Sequence, residues 1–207
     1  MSLTAGRFVI NSVINSFGSD IVAAYTVGSK AESVTSVAFV QFTFSYAVFS
    51  GQNFGAKKYD RISQRLRSAF KLIGVNVLIS MAVTFLFAPQ LATIFIDKSN
   101  TFILAKAAEK VRVDACFLYA LGFIWLMNSC LRGMGHIKPT FISSIVELVS
   151  KIVLSIALSA LFGTIGLWLA APIGWVLGLI PSCTYYLFSG WKQKAIEADK
   201  KAAAGAS

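Results

Sequence analysis

Long apolar runs without ionisable residues recur along the chain, and they constrain its fold more than any other feature. Residues 33–50, 72–88 and 167–188 carry no charged side chain. A transmembrane helix needs about 20 predominantly apolar residues, so each run approaches the length of a membrane span. Hydrophobic residues make up 56% of the 207 positions and charged residues only 14%, a balance that a soluble domain could hardly keep off its surface. The sequence therefore predicts an all-α integral membrane protein.

Six apolar segments divide the chain, which predicts six transmembrane helices. The first segment, over residues 3–17, is shorter than a full span, so we expect a truncated helix there. The stretch 90–114 has mixed charge and is expected to be a connection. We therefore predict a six-helix bundle over residues 1–190 and a basic, low-complexity tail over residues 191–207. The five further segments are residues 21–50, 72–88, 115–131, 140–162 and 167–188.

The basic residues predict the orientation, because positively charged loops stay in the cytoplasm. The formal net charge is +10, and the basic residues cluster between apolar segments instead of forming a stripe for nucleic acid. Most of them fall in alternate connections and in the tail, which places both termini in the cytoplasm and the chain in a cytoplasmic (inner) membrane. The residues on this side are Lys57, Lys58, Arg61, Arg65, Arg67, Lys71, Arg132, Lys138, Lys192, Lys194, Lys200 and Lys201.

An ordered set of motifs resembles the C-terminal half of a multidrug and toxic compound extrusion (MATE) transporter. INSFGSDIVAAYTVGSKAES resembles the junction of the family's seventh and eighth helices, and GQNFGAKKYDRI resembles its glycine-rich cytoplasmic loop. CLRGMGHIKPT resembles the loop after its tenth helix, and residues 163–175 resemble its last hairpin. The resemblance implies one six-helix bundle of a twelve-helix transporter.

The resemblance also implies a function and its partners. Such transporters are similar in exporting cationic or aromatic compounds in exchange for sodium ions or protons, by alternating access. The implied partners are membrane lipids, small cationic substrates, and a second six-helix bundle or a second copy of this chain. Two alternatives stay open, a non-transporting fragment or scaffold and a lipid-linked oligosaccharide flippase of the same superfamily. A flippase would need basic residues along its cavity, which the sequence does not indicate in the middle of a span.

Charged residues within or near the spans are the first candidates for a site, because each must offset its desolvation. Glu32 is predicted to bind a proton, a sodium ion or a cationic substrate, with an ion pair to Lys30 or to a neighbouring helix as the alternative. Asp114 is expected to stand beside Arg112 at the start of the fourth helix, where a carboxylate favours a helix N-terminus. Glu147 and Lys151 are four residues apart, which predicts a structural ion pair on one helical face.

Neutral polar residues in the apolar segments provide further candidates. Gln41, Tyr46 and Asn15 are predicted to line the substrate pathway, with hydrogen bonding between helices as the alternative. The family resemblance also leaves the coupling ion open between sodium and a proton.

The sequence gives little support to an enzyme. The only histidine, His136, lies in a basic turn without a neighbouring cysteine or acid at catalytic spacing. Cys116, Cys130 and Cys183 are far apart and lack metal-ligand spacing. We therefore expect no catalytic residues, no metal site and no cofactor beyond the coupling ion.

Overall fold

The protein, described by a computed structural model over residues 2–204, is helical along almost all of that stretch. No strand occurs among these residues, which confirms the predicted all-α fold. Residue 1 of the predicted bundle and residues 205–207 of the predicted tail lie outside the described residues. In chain order the helices are α1 (Ser2–Asn15), α2 (Ser19–Gly55), α3 (Tyr59–Leu86), α4 (Ala88–Thr93), α5 (Thr101–Cys116), α6 (Leu118–Gly133), α7 (Ile137–Phe188) and α8 (Trp191–Ala204).

Helix length and apolarity identify several membrane spans. Among the described residues, α2, α3 and α7 are long and apolar enough to cross a membrane. The pair α5 and α6, bent by 56° at their junction, passes the same test when counted as one broken span. α1 has 14 residues, fewer than the about 20 that a span needs. Among the described residues, up to four spans are therefore identified by length and apolarity, and the number six stays a prediction.

α7 is a helical hairpin with two arms. Its 52 residues would measure about 78 Å as one straight helix, far more than the roughly 30 Å core of a membrane. The chain reverses at Gly163, whose φ of 59° and ψ of −134° interrupt the helix. The arms, residues 137–162 and 164–188, pack side by side, since the Ser143 hydroxyl donates to the Gly178 carbonyl at 2.6 Å. The predicted segments 140–162 and 167–188 therefore correspond to these two arms.

α5 corrects the expectation that residues 90–114 form a connection. The segment contains most of the short helix α4 and most of α5, which packs against α2. Ala107, Ala108, Val111 and Ala115 lie buried on one face of α5, and such small residues allow helices to approach closely. Charged residues stand between these apolar residues in the sequence, so the hydropathy pattern shows no continuous apolar run here. The predicted fourth span at 115–131 is thus preceded by a packed helix, and α6 itself begins at Leu118.

α6 forms the centre of the bundle. It contacts α2, α3 and both arms of α7, and most of its side chains are buried. Leu118, Ile124 and Leu126 pack with Phe39 of α2 and Val77 of α3 in one apolar core. This core fixes the positions of α2, α3 and α7, while α5 packs against α2 through separate alanine-rich contacts.

The residues predicted as a tail form α8 and pack onto the basic end of the bundle. Trp191 is buried against Phe54 and Tyr186. The Tyr59 hydroxyl donates to Asp199 at 2.7 Å, and Lys57 Nζ lies 3.0 Å from the other carboxylate oxygen of Asp199. These hydrogen bonds hold the pKa of Asp199 below its ordinary value. The part of the tail that the structure describes is therefore ordered and bound to the bundle.

His136 lies in the same region, in the turn between α6 and α7. Its imidazole packs against the rings of Phe54, Tyr185 and Trp191, and its Nδ1 lies 3.2 Å from the Tyr185 hydroxyl. Burial among these rings lowers the pKa of His136. The structure gives this histidine a packing role at the end of the bundle.

Candidate functional site

Five ionisable side chains from α2, α5 and the first arm of α7 meet around one cavity. We call Glu32, Lys110, Asp114, Glu147 and Lys151 the charged cluster. Four of them line a cavity of about 280 Å³, and Asp114 binds one of the four, Lys110. Three carboxylates face two ammonium groups, so the cluster has one excess negative charge when every group is ionised.

Lys110 and Asp114 form the most buried ion pair of the cluster. They lie four residues apart on α5, and Lys110 Nζ is 2.5 Å from Asp114 Oδ2. Lys110 is only 2% exposed and Asp114 only 1%. The second carboxylate oxygen, Asp114 Oδ1, is buried without a hydrogen-bond partner among the described residues. Buried polar atoms almost always have partners, so this unpaired oxygen is an exception within the cluster, although Asp114 itself does not line the cavity.

Lys110 is held in place by α2 as well as by Asp114. A Cβ atom at Gly28 would come within 2.8 Å of Lys110 Cδ, so glycine at this position allows the lysine side chain to pass close to α2. Lys110 Nζ also lies 5.0 Å from the centre of the Tyr25 ring, a distance typical of a cation–π contact. The buried charge is therefore surrounded by partners on two helices.

Glu32 lies on α2 and faces the same lysine from the other side. Its Oε2 is 3.9 Å from Lys110 Nζ, so the ion pair with a neighbouring helix, the alternative to a binding role, is present, and Glu32 also lines the cavity. The alternative partner, Lys30, instead lies over the Phe95 ring at 5.9 Å. Glu32 is thus bound less closely than Asp114 and remains open to the cavity.

The expected position of Asp114 at the start of a helix beside Arg112 is wrong. Asp114 lies near the C-terminal end of α5, where a carboxylate gains nothing from the helix dipole. Its stabilisation comes from Lys110, one turn earlier on the same helix. The error follows from assigning residues 90–114 to a connection.

Glu147 and Lys151 lie together on the first arm of α7. Lys151 Nζ is 3.0 Å from Glu147 Oε1, as their four-residue spacing predicts. Lys151 Nζ also lies 5.7 Å from the centre of the Trp175 ring on the second arm. The pair therefore joins the two arms and presents both charges to the cavity.

Two further cavities adjoin the first. One measures about 590 Å³ and the other about 120 Å³. Glu147 and Trp125 line all three, so the cavities lie side by side next to the charged cluster. Tyr25 and Ser29 line the two larger ones. A carboxylate beside aromatic rings is a surface that suits cationic and aromatic molecules.

The neutral polar candidates lie elsewhere. Tyr46 is buried, and its hydroxyl donates to the Ile62 carbonyl of α3 at 2.9 Å. Gln41 is exposed on α2, and Asn15 is exposed at the last residue of α1. None of the three lines the cavities at the charged cluster. For Tyr46 the contact is the bond between helices that was the alternative to a pathway role.

Sequence reasoning missed Lys110 and the aromatic residues Tyr25, Trp125 and Trp175. The four-residue spacing of Lys110 and Asp114 was a signal for the buried pair, as it was for Glu147 and Lys151. The aromatic residues had no such signal, because aromatics also occur at lipid-facing and interfacial positions. Within residues 2–204 no group of three or more His, Cys, Asp or Glu side chains could hold a metal ion.

The match to a family model agrees with the motifs. The MatE model matches residues 1–157. The chain is 23% identical to "Probable multidrug resistance protein YoeA" of Bacillus subtilis over 94% of its own length and 42% of that protein. It thus spans less than half the length of this curated relative.

Solved structures show the same fold. An outward-facing structure of a multidrug resistance MATE family transporter of the MOP superfamily has a TM-score of 0.80 at 22% identity, covering 97% of this chain and 44% of that one. An inward-facing structure of such a transporter has a TM-score of 0.78 at 22% identity, with 97% and 45% covered. Because the family model covers most of the sequence, the chain belongs to the MatE family, as its ordered motifs predicted.

Proposed function

We propose that the chain is one bundle of a transporter that exports cationic or aromatic organic compounds in exchange for sodium ions or protons by alternating access. The observation that carries this proposal is the charged cluster, which presents Glu32 and Glu147 to a cavity also lined by Tyr25, Trp125 and Trp175. The name of the B. subtilis relative and the two conformations of the similar structures support it.

Glu32 is the acid on which ion coupling depends in this proposal. Asp114 holds Lys110 at 2.5 Å, whereas Glu32 lies 3.9 Å from the same nitrogen, so Glu32 is the less compensated carboxylate. A proton or a sodium ion that binds Glu32 removes the excess negative charge of the cluster. A cationic substrate uses the same charge, so the two cations compete for one site and exchange for each other.

Aromatic side chains provide the contacts for the organic part of the substrate. Trp125 lines all three adjoining cavities, and Tyr25 lines the two larger ones. Aromatic rings attract organic cations through their faces and pack well against flat apolar molecules. This arrangement favours compounds that combine a positive charge with an aromatic system.

The complete transporter includes a second bundle. The chain covers 42% of the length of the B. subtilis relative, so a second six-helix bundle or a second copy of this chain is proposed to close the other side of the cavity. The proposed location is a cytoplasmic membrane with both termini in the cytoplasm. Basic residues cluster near the α2–α3 turn, near the α6–α7 turn and in α8, and positively charged loops stay in the cytoplasm.

Reconstitution tests the proposal. The purified chain in liposomes should move ethidium when a sodium or proton gradient is imposed, and Glu32→Gln should abolish that movement. Glu197→Gln is the matched control, because Glu197 is an exposed carboxylate of α8 outside the cluster, and it should transport like the unmodified chain. Equal transport by the Glu32→Gln variant would refute the role of Glu32. No movement by the unmodified chain would mean either that transport needs a separate second bundle or that the chain is a non-transporting fragment or scaffold.

A lipid-linked oligosaccharide flippase is the second candidate function. Three basic residues, Lys110, Lys151 and Arg132, lie at the adjoining cavities, and of these only Lys151 falls within a segment that the sequence predicts to span the membrane. Lys110 and Lys151 are each bound by a carboxylate, so their charge is already compensated, and the exporter is favoured. Binding of an isoprenoid pyrophosphate to the purified chain, weakened by Arg132→Gln, would instead favour the flippase.

A further inference from the structure

An apolar groove lies between α3 and the second arm of α7, near the basic end of both helices. Its volume is about 340 Å³, and its walls include Leu66 and Phe70 of α3 and Cys183 and Leu187 of the arm. Met127 of α6 also lines it. Leu187 is 69% exposed, so the groove opens on the outer surface of the bundle. It shares no lining residue with the cavities at the charged cluster.

Arg67 lines this groove and has no partner of its own. It is exposed, and no ion pair or hydrogen bond to a described residue is made by its guanidinium group. The neighbouring acid, Asp60, is bound by Lys192 at 2.5 Å. Arg61, Arg65 and Lys71 also surround Arg67 on α3; they are exposed and form no ion pair with any residue that the structure describes. This end of the groove therefore carries uncompensated positive charge.

The groove spans the level at which a membrane changes from apolar to polar. On α3 the uncharged run begins at residue 72, and on the second arm it ends at residue 188. Arg67 thus lies about one helical turn outside the apolar run, where lipid headgroups are found. Cys183 and Leu187 lie inside the apolar run of the second arm, and Phe70 lies two residues from the start of the run on α3, where acyl chains begin.

We infer that the groove binds an anionic phospholipid, with the headgroup phosphate on Arg67 and an acyl chain against Phe70, Cys183 and Leu187. A guanidinium group binds phosphate through two parallel hydrogen bonds, and basic pockets between transmembrane helices bind anionic headgroups. The excess of unpaired arginines disfavours a headgroup that carries its own positive charge. This lipid site is separate from the proposed transport function and does not depend on it.

Cysteine alkylation tests the site directly, because Cys183 lines the groove and Cys116 does not. The purified full chain in a non-ionic detergent is treated with a maleimide in the presence of phosphatidylglycerol or phosphatidylcholine, and mass spectrometry follows each cysteine. Phosphatidylglycerol should slow the alkylation of Cys183 severalfold and leave the exposed Cys116 unchanged. Equal slowing by phosphatidylcholine would overturn the selectivity for an anionic headgroup.

Two matched variants separate a specific site from diffuse surface charge. Arg67→Gln should remove the protection of Cys183. Arg65→Gln removes the same charge from the same helix without touching the groove, and it should keep the protection. Equal loss in both variants would show that general surface charge attracts the lipid, and unchanged protection in Arg67→Gln would contradict the role of Arg67.

Native mass spectrometry gives an independent measurement if Cys183 reacts too slowly to follow. The unmodified chain and Arg65→Gln should retain bound phosphatidylglycerol, whereas Arg67→Gln should lose it severalfold. Equal retention by all three proteins would overturn the proposal.

Discussion

Lysine–carboxylate pairs occur in two regions of this molecule under opposite conditions. In the charged cluster, Lys110 and Asp114 are almost completely buried. At the basic end of the bundle, Lys192 and Asp60 form an equally short contact, but the Asp60 side chain is 76% exposed. The contacts are similar in chemistry, yet the surroundings give them different energetic weight.

The difference determines how much each pair contributes to stability. Burying two charges costs several kcal/mol per ion, so a buried pair adds little stability compared with an apolar pair of the same volume. An exposed pair costs little to form and contributes between about 0 and 1 kcal/mol. The pair at α8 therefore suits a docking contact, whereas the buried pair adds little net stability but is costly to break.

Removal of Lys110 should have the largest effect on stability. Lys110→Met leaves Asp114 buried without its counter-charge, which should lower the free energy of unfolding by about 3–5 kcal/mol. Thermal or denaturant unfolding in detergent measures this loss. The double variant Lys110→Met with Asp114→Leu is the control and should recover most of it, since no unpaired charge remains. A single variant as stable as the unmodified protein would show that the cluster is open to water.

Truncation of Trp191 should have the next largest effect, confined to α8. Trp191→Ala removes a buried indole, which should weaken the docking of α8 by about 3 kcal/mol. That corresponds to a roughly hundredfold larger population of undocked helix. Limited proteolysis measures it as faster cleavage within residues 191–204. Lys194→Ala, which replaces an exposed side chain of the same helix, should leave the rate nearly unchanged, and equal rates for the two variants would contradict the docking.

Neutralisation of Asp199 should have the smallest effect, and this effect should depend on pH. Hydrogen bonds from Tyr59 and Lys57 lower the pKa of Asp199 in the folded protein, so folding favours its ionised form. Its contribution is full above the unfolded pKa of about 3.9 and is lost as the pH falls through the lower folded value. Asp199→Asn should abolish this acid-dependent release of α8, measured by the fluorescence of Trp191. The same release in the variant would assign it to another group.

The sequence predicted features that depend on local spacing and missed those that depend on packing. The all-α fold, α2, both arms of α7 and the Glu147–Lys151 contact follow from apolar runs and four-residue spacing. α5 could not be recognised in this way, because Lys106, Glu109 and Arg112 stand between its buried apolar residues in the sequence and break the apolar run. The approach of Lys110 to Glu32 joins residues that are distant in sequence, so no local pattern encodes it.

The same reasoning explains the tail. Its composition is basic and alanine-rich, which is typical of a solvated segment. α8 docks through the contacts of Trp191 with Phe54 and Tyr186 and through the hydrogen bond from Tyr59 to Asp199. These contacts form only in the folded bundle. The local composition therefore indicated a polar segment but did not reveal that this segment docks onto the bundle.

The central claim is that a sodium ion or a proton competes with a cationic substrate for Glu32. Equilibrium binding of ethidium to the purified chain tests it most directly. Fluorescence polarisation in detergent requires no second bundle and no gradient. Raising the sodium concentration or lowering the pH should weaken ethidium binding to the unmodified chain severalfold, while Glu32→Gln should bind more weakly at the start and lose this sensitivity to either ion. Ethidium binding that neither ion affects, or a Glu32→Gln variant that responds like the unmodified chain, would contradict the account.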